Sequence, residues 1–189
     1  AIHPKVAGQV QFANPIGPGW ANPENETFSD PRLHGRDDRL YGPLPRKWAH
    51  YKGLYHHGER IVLSYSVGKG KVLESPWAQK AAESVVFSRS MEIRGLQTDE
   101  QVLLAQSPQG GGVGEVREVH GLRLAVVPRA RKGDANASLI AVAVIGEGAE
   151  VGVDGHRAVA NVKAGNGQFT VLLWEGPETE LEAFAKYAG

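Results

Sequence analysis

The chain of 189 residues contains no cysteine. That absence excludes disulfides, thiolate metal sites, cysteine nucleophiles and thioether-attached haem. No apolar run approaches the roughly 20 residues a membrane-spanning helix needs. The longest, Ala137–Ile145, has the length of a buried strand. There is no excess of charge either, with 21 basic residues against 21 acidic. Neither nucleic acid nor membrane insertion is therefore expected. Gly68-Lys69-Gly70-Lys71 and Gly110-Gly111-Gly112-Val113-Gly114 lack the strand–loop–helix setting and spacing of phosphate loops. Serine-elbow and His-Glu-x-x-His motifs are absent. No cofactor is expected in this chain, and no metal site: His56 and His57, adjacent on a strand, point to opposite faces.

What is abundant is punctuation. With 24 glycines and 11 prolines, the chain reads as many turns and few long helices. Residues 1–50 form an extended loop region broken by Asn14-Pro15, Gly17-Pro18-Gly19 and Asn22-Pro23, with Gln9–Phe12 as one short strand. Trp20 and Phe28 are its anchors. From Tyr51 the pattern alternates. Tyr51–His57 and Ile61–Val67 read as a hairpin, Gly68-Lys69-Gly70 as the next turn, and Lys71–Glu74 as a short strand. Trp77–Ser84 reads as a helical turn and Ser84–Ile93 as a strand. Shorter strands follow to Trp174, separated by turns that include Asp154-Gly155 and Asn166-Gly167. Residues 177–188 form an amphipathic helix with Leu181, Phe184, Ala185 and Ala188 on one face. The expected architecture is all-β: an antiparallel β-sandwich in one domain over 1–189, with a partial β-propeller as the alternative. Ala1 in place of Met, with no signal-peptide pattern after it, reads as a fragment of a longer chain.

Candidate chemistry gathers between residues 34 and 57. His34, Asp37 and Asp38 are the candidate catalytic groups, since two carboxylates beside an imidazole suit acid–base work. Arg36 and Arg39 suit a carboxylate clamp; internal Asp–Arg pairing is the plainer explanation of the same cluster. Trp20, Tyr41, Trp48, Tyr51 and Tyr55, interspersed with Arg, Asp, His and Asn, suit a sugar-stacking surface. Arg36, His50 and His57 join Trp20, Tyr41, Trp48 and Tyr55 as candidate ligand-binding residues. His50 and His56 are expected to share a face, with Tyr51 opposite.

Several motifs recur in a fixed order: Phe28-x-Asp30-Pro31-Arg32-Leu33, Gly35-Arg36-Asp37-Asp38-Arg39, Tyr41-Gly42-Pro43-Leu44-Pro45, Tyr51-Lys52-Gly53-Leu54-Tyr55, Gly58–Tyr65 and Val72–Pro76. This pattern resembles an uncharacterised region of large exported bacterial haem proteins of the c-type cytochrome group. The resemblance implies an extracytoplasmic location, periplasmic or secreted. It also implies neighbouring haem or sugar-oxidation domains and a carbohydrate ligand as partners. It supplies no catalytic residues. The expected function is a non-catalytic binding or docking module; the alternative is a carbohydrate-active hydrolase using carboxylate and histidine residues of the 34–57 region.

Overall fold

The computed structural model describes residues 13–14, 16–81, 84–107, 112–129 and 138–189. Gln9–Phe12, the opening residues and much of the glycine-rich 107–114 segment lie outside these. Two hairpins start the regular structure. A short ribbon joins β1 (Leu33–His34) to β2 (Leu40–Tyr41). Then β3 (Ala49–His57) turns through Gly58-Glu59 into β4 (Arg60–Val67), with His57 opposite Arg60. A further two-residue turn leads to β5 (Gly70–Ala81), which pairs with β6 (Ser84–Leu96) up to Ala81–Ser84.

Trp77 is therefore on a strand, not in a helical turn, and Lys71–Glu74 is part of a strand of 12 residues. Pro76 explains how this escapes the usual breaker rule. The pairing of β4 with β5 runs only as far as Glu74, so Pro76 pairs on one side only, with Arg89 of β6. Its missing N–H faces an unpaired edge, where proline is tolerated.

The remaining strands are β7 (Glu100–Gln106), β8 (Glu115–Val119), β9 (Leu122–Pro128), β10 (Leu139–Glu147), β11 (Ala149–Asp154), β12 (Arg157–Val162) and β13 (Gly165–Gly176). They make one eight-stranded antiparallel sheet, β3-β4-β5-β6-β13-β10-β9-β8, and a three-stranded sheet, β11-β12-β7. The last strand, β13, sits between the β3–β6 meander and the β8–β10 group, so it joins the two halves of the large sheet. Asn166-Gly167 is not a turn. It lies within β13, opposite a bulge where Gly95 adopts φ +68, and the Asn166 side chain accepts a hydrogen bond from the Gly95 N–H at 2.9 Å.

The small sheet covers one face of the large one. Val72, Ile93, Val171 and Val142 from the large sheet bury against Val102, Leu104, Ala160 and Val151 from the small one. This is a sandwich, as expected, and the antiparallel sheets do not close into a barrel. The N-terminal region contributes to it. Trp20 bridges to Val102, with Ala21 N–H donating to Gln101 O at 2.8 Å and Leu103 N–H to Gly19 O at 2.7 Å. Residues 19–21 thus extend the small sheet, so a segment expected to be irregular carries one sheet rung.

The opposite face of the large sheet is covered at one end by α1 (Leu181–Ala188), entered through a 3-10 turn at Glu178–Glu180. Leu181, Phe184, Ala185 and Ala188 are buried, the face expected from the periodicity. Phe184 stacks on Trp174 with centroids 5.6 Å apart. The Tyr187 hydroxyl donates to Gln79 Oε1 at 2.6 Å, tying the helix to the end of β5.

Candidate functional site

The His34–Asp38 cluster sits on the β1–β2 ribbon, which is exposed to solvent. Asp37 accepts from the Tyr41 hydroxyl at 2.9 and 3.0 Å and lies 3.6 Å from Arg39 Nε. A Cβ at Gly35 would collide with the Tyr41 ring, so the Tyr41–Asp37 contact is made over a glycine. Asp38, fully exposed with φ +60, has His34 Nδ1 at 3.7 Å. Arg36 is exposed. The best-formed clefts among the described residues include none of residues 34–41. The two carboxylates therefore lie outside those clefts, Asp37 held by Tyr41 and Arg39 and Asp38 in solvent.

The expected aromatic strip is divided. Trp20 and Trp48 are 6% and 2% exposed, so neither ring face is available to a ligand. Trp48 Nε1 donates to Trp20 O at 3.0 Å, and Trp20 Nε1 donates to the Tyr65 hydroxyl at 3.1 Å. Both are anchors that pin the N-terminal segment. Tyr41, Tyr51 and Tyr55 stay largely exposed.

The Trp20 bond begins a buried polar chain. Tyr65 donates to Glu74 Oε2 at 2.6 Å, and Arg89 Nε donates to Glu74 Oε1 at 2.6 Å. Burial pushes the Glu74 carboxyl up, but the Arg89 charge and the hydrogen bonds from Arg89 and Tyr65 outweigh it and hold the group below its ordinary value. Burial, then Glu74, drive the Tyr65 phenol strongly upward. This network holds the two sheets and the N-terminal anchor in register. Its geometry is structural.

Register on β3 corrects one expectation. The pairing slips between Tyr51 and Gly53, leaving Lys52 as an extra residue. His50, Tyr55 and His57 pair with Ser66, Val62 and Arg60, which alternate along β4 and so share one face. His50 thus joins Tyr55 and His57, while His56 falls on the face of Tyr51. The bulge moved the phase by one.

That shared face is the one the small sheet does not cover, and the helix reaches it only at the far ends of β5 and β6, against Gln79 and Val86. It is ordered in rungs. The first is His50–Ser66–Lys71–Arg94, one residue from each of four neighbouring strands, about 4.8 Å apart. The second is Gly53–Ser64–Leu73–Glu92–Gln168. The third carries the hydroxyls Ser75, Ser90 and Thr170, with Ser90 and Thr170 oxygens 3.2 Å apart. The fourth brings Trp77 opposite Ser88, and the Arg60 guanidinium lies 3.7 Å above the Trp77 ring.

Two grooves occupy this face, about 420 and 570 Å³ in volume, and they share Leu73 and Glu92 in their walls. The Arg94 side chain reaches Glu92 at 2.5 Å. The charge of Lys52, then burial, then Arg46 push His50 below its ordinary value, as expected of an imidazole in a positive field.

Residues 1–74 match the family model of a domain of unknown function, DUF6797. No curated protein and no solved structure matches the chain. The matched segment supplies the anchors Trp20 and Trp48, all of β3 and β4, and β5 up to Glu74. It therefore builds one half of the open face. The other half, from Ser75, Trp77, Ser90, Arg94 and Thr170, comes from beyond the match.

Of the expected ligand-binding residues, the fold brings His50, Tyr55 and His57 together, buries Trp20 and Trp48, and leaves Arg36 and Tyr41 on the separate ribbon. Sequence reasoning missed Trp77, Arg60 and the Ser/Thr rung. Serines alternating at Ser64, Ser66, Ser75, Ser88 and Ser90 were the available signal. Period-two serine on successive strands marks a face that is polar but not charged.

A separate cleft of about 530 Å³ lies where Arg46, Lys47 and Lys69 meet the β6–β7 turn. The Glu100 carboxyl at its wall is buried and accepts from Thr98 Oγ1 at 2.8 Å. Burial raises its pKa, the Thr98 bond lowers it, and Glu26 adds a further rise, for a net upward shift.

Proposed function

We propose that the protein is a non-catalytic binding module whose uncovered sheet face takes an extended carbohydrate. The observation that carries this reading is the open face itself. It presents the exposed Tyr55 ring, Trp77 capped by the Arg60 guanidinium, a hydroxyl rung and a charged rung across four adjacent strands. Pyranose rings offer apolar faces for aromatic stacking and equatorial hydroxyls for short polar side chains, so a surface alternating the two suits them. The ligand would lie along the grooves and would need little rearrangement of a rigid sheet.

The hydrolase alternative has less support. Acid–base work across a glycosidic bond needs two carboxyl groups flanking the scissile oxygen, at least about 5 Å apart. Asp37 and Asp38 are sequence neighbours on an exposed ribbon. A docking role beside haem or sugar-oxidation domains, and an extracytoplasmic location, are part of the same proposal and rest on the resemblance of the Phe28–Pro76 motifs alone. No described helix is long and apolar enough to cross a membrane.

Titration calorimetry against a panel of oligosaccharides tests the reading. Binding should occur with at least one extended glycan, weaken sharply in Trp77→Ala and Tyr55→Ala, and be unchanged in Asp37→Ala. Binding that survives both aromatic substitutions sinks it.

A further inference from the structure

We infer that the carbohydrate taken by this face is an acidic one, carrying carboxylate or sulfate groups that sit on the Lys71–Arg94 rung. The inference rests on the carbohydrate reading above and specifies it.

The first observation is a local imbalance. The whole chain is neutral. Yet the walls of the 420 Å³ groove hold Lys52, Lys71 and Arg94 against a single acid, Glu92, which Arg94 already occupies. Among the described residues, Lys52 and Lys71 have no acidic partner within ion-pair distance. Surface cations in a neutral chain are usually interspersed with acids; here they converge on one groove.

The second observation concerns cost. Lys71 and Arg94 are directly opposite each other on neighbouring strands. Like charges in that position destabilise a sheet. A threonine at position 71 would suit a strand better on every local count: propensity, repulsion and pairing with the adjacent Ser66. Among the described residues Lys71 makes no ion pair or side-chain hydrogen bond, whereas an anion placed between the two cations turns the repulsion into two charge-assisted hydrogen bonds. His50, at the end of the same rung, is held below its ordinary pKa by the charge of Lys52, then burial, then Arg46, which adds Lys52 to the cations on this side.

The third observation is direction. Trp77 with Arg60 lies three rungs from Lys71 along β5, about 20 Å at the rise of a strand. A ligand spanning both ends must be a chain several sugars long. Small anions alone do not fill this site.

The experiment uses the full chain and calorimetry with four probes of matched length: oligogalacturonate, a sulfated galactan oligosaccharide, a neutral xylo-oligosaccharide and a single-stranded oligonucleotide. At least one acidic glycan should bind roughly tenfold or more tighter than the neutral one, the size of a lost hydrogen bond to a charged group. Which of the two binds separates carboxylate from sulfate recognition. Affinity should fall as salt rises. Lys71→Thr should remove that preference while its melting temperature stays level or rises, a result that misfolding cannot imitate. Lys52→Ala should give a smaller loss in the same direction. If neutral and acidic glycans bind alike and Lys71→Thr changes nothing, this inference fails and the carbohydrate reading stands. If no glycan binds, both fail. Preference for the oligonucleotide over every glycan, with the same lysine dependence, overturns both in favour of nucleic acid.

Discussion

The two halves of the large sheet use the same strand chemistry in opposite ways. Around β9, the first part of β10 and the 172–174 end of β13 both faces are covered, by the small sheet on one side and α1 on the other. Val142, Val171 and Leu173 face the small sheet, Ala143 and Trp174 face the helix side, and all are all but inaccessible. β3 is largely exposed on both faces, Tyr51 and Leu54 included, and around the 63–67 end of β4 and the first part of β5 only one face is covered. The other carries Ser64, Ser66, Tyr55 and Lys71, and solvent reaches it. The lesson is that the hydrophobic half holds the sheet together while the polar half is carried by it. A strand buried on both faces leaves no side chain to spare for a ligand, because every position is needed for packing. A half-covered strand has every second residue available.

This contrast breaks most visibly in the covered half. Trp174→Ala removes the ring under Phe184 and leaves a void between helix and sheet, which should cost about 3–5 kcal/mol. Urea unfolding measures it; a loss below ~1 kcal/mol would mean the helix does not pack as described. Glu74→Ala comes next. It leaves the Arg89 guanidinium and the Tyr65 hydroxyl without their partner inside the sandwich, and removing one member of such a buried pair typically costs about 3 kcal/mol or more. If Glu74→Ala and Arg89→Ala unfold additively in a double-mutant cycle, the coupling does not exist.

The same network sets a pH dependence. Because Glu74 is depressed in the fold, its stabilisation is complete above the unfolded carboxyl value, near 4.3, and is lost as pH falls through the lower folded value. Tyr65 is raised, so its contribution is complete below the unfolded phenol value, near 10, and is lost as pH climbs beyond it toward the folded one. Glu100 opposes Glu74 at the acid end. Its raised pKa means that protonation relieves a cost of folding, so that cost is present above the folded value and disappears as pH falls through it toward the unfolded one. Glu100→Gln should therefore raise the melting temperature at pH 7 and leave it little changed at pH 3. The opposite ordering would remove the burial argument.

The smallest stability effects belong to the open half. Tyr55→Ala and Ser90→Ala should each leave stability within about 0.5 kcal/mol of the parent chain, the range of surface substitutions. Their consequence should appear in glycan affinity. If either destabilises the protein as Trp174→Ala does, the open face is a covered one and the comparison collapses.

Much of this was legible in the chain. The hairpin turns at Gly58 and Gly68, the strand pair around Gly155 and the buried helix face all follow from local periodicity and turn chemistry, which act over a few residues. Two readings failed for reasons of the same kind. Asn166-Gly167 has the composition of a turn, but the deciding feature is a bulge at Gly95, far away in sequence. Trp77 follows a proline, and only the end of the β4–β5 pairing at Glu74 makes that proline harmless. In the candidate site, Tyr55, His57 and His50 were within reach of sequence reasoning. Their common face was not, because a single extra residue at Lys52 reverses the phase of everything before it.

The sequence by itself determined the class of the fold, the absence of thiol chemistry, the positions of most turns and the inward face of the helix. Each depends on residues that are close along the chain. Only the tertiary structure decided that Trp20 and Trp48 are anchors and that the ribbon holding Asp37 and Asp38 stands apart from the grooves formed by the described residues. It alone brought His50, Lys71 and Arg94 onto one rung. Those outcomes depend on which strands become neighbours and which face is covered, and side-chain alternation states that a strand has two faces without stating which one meets the core.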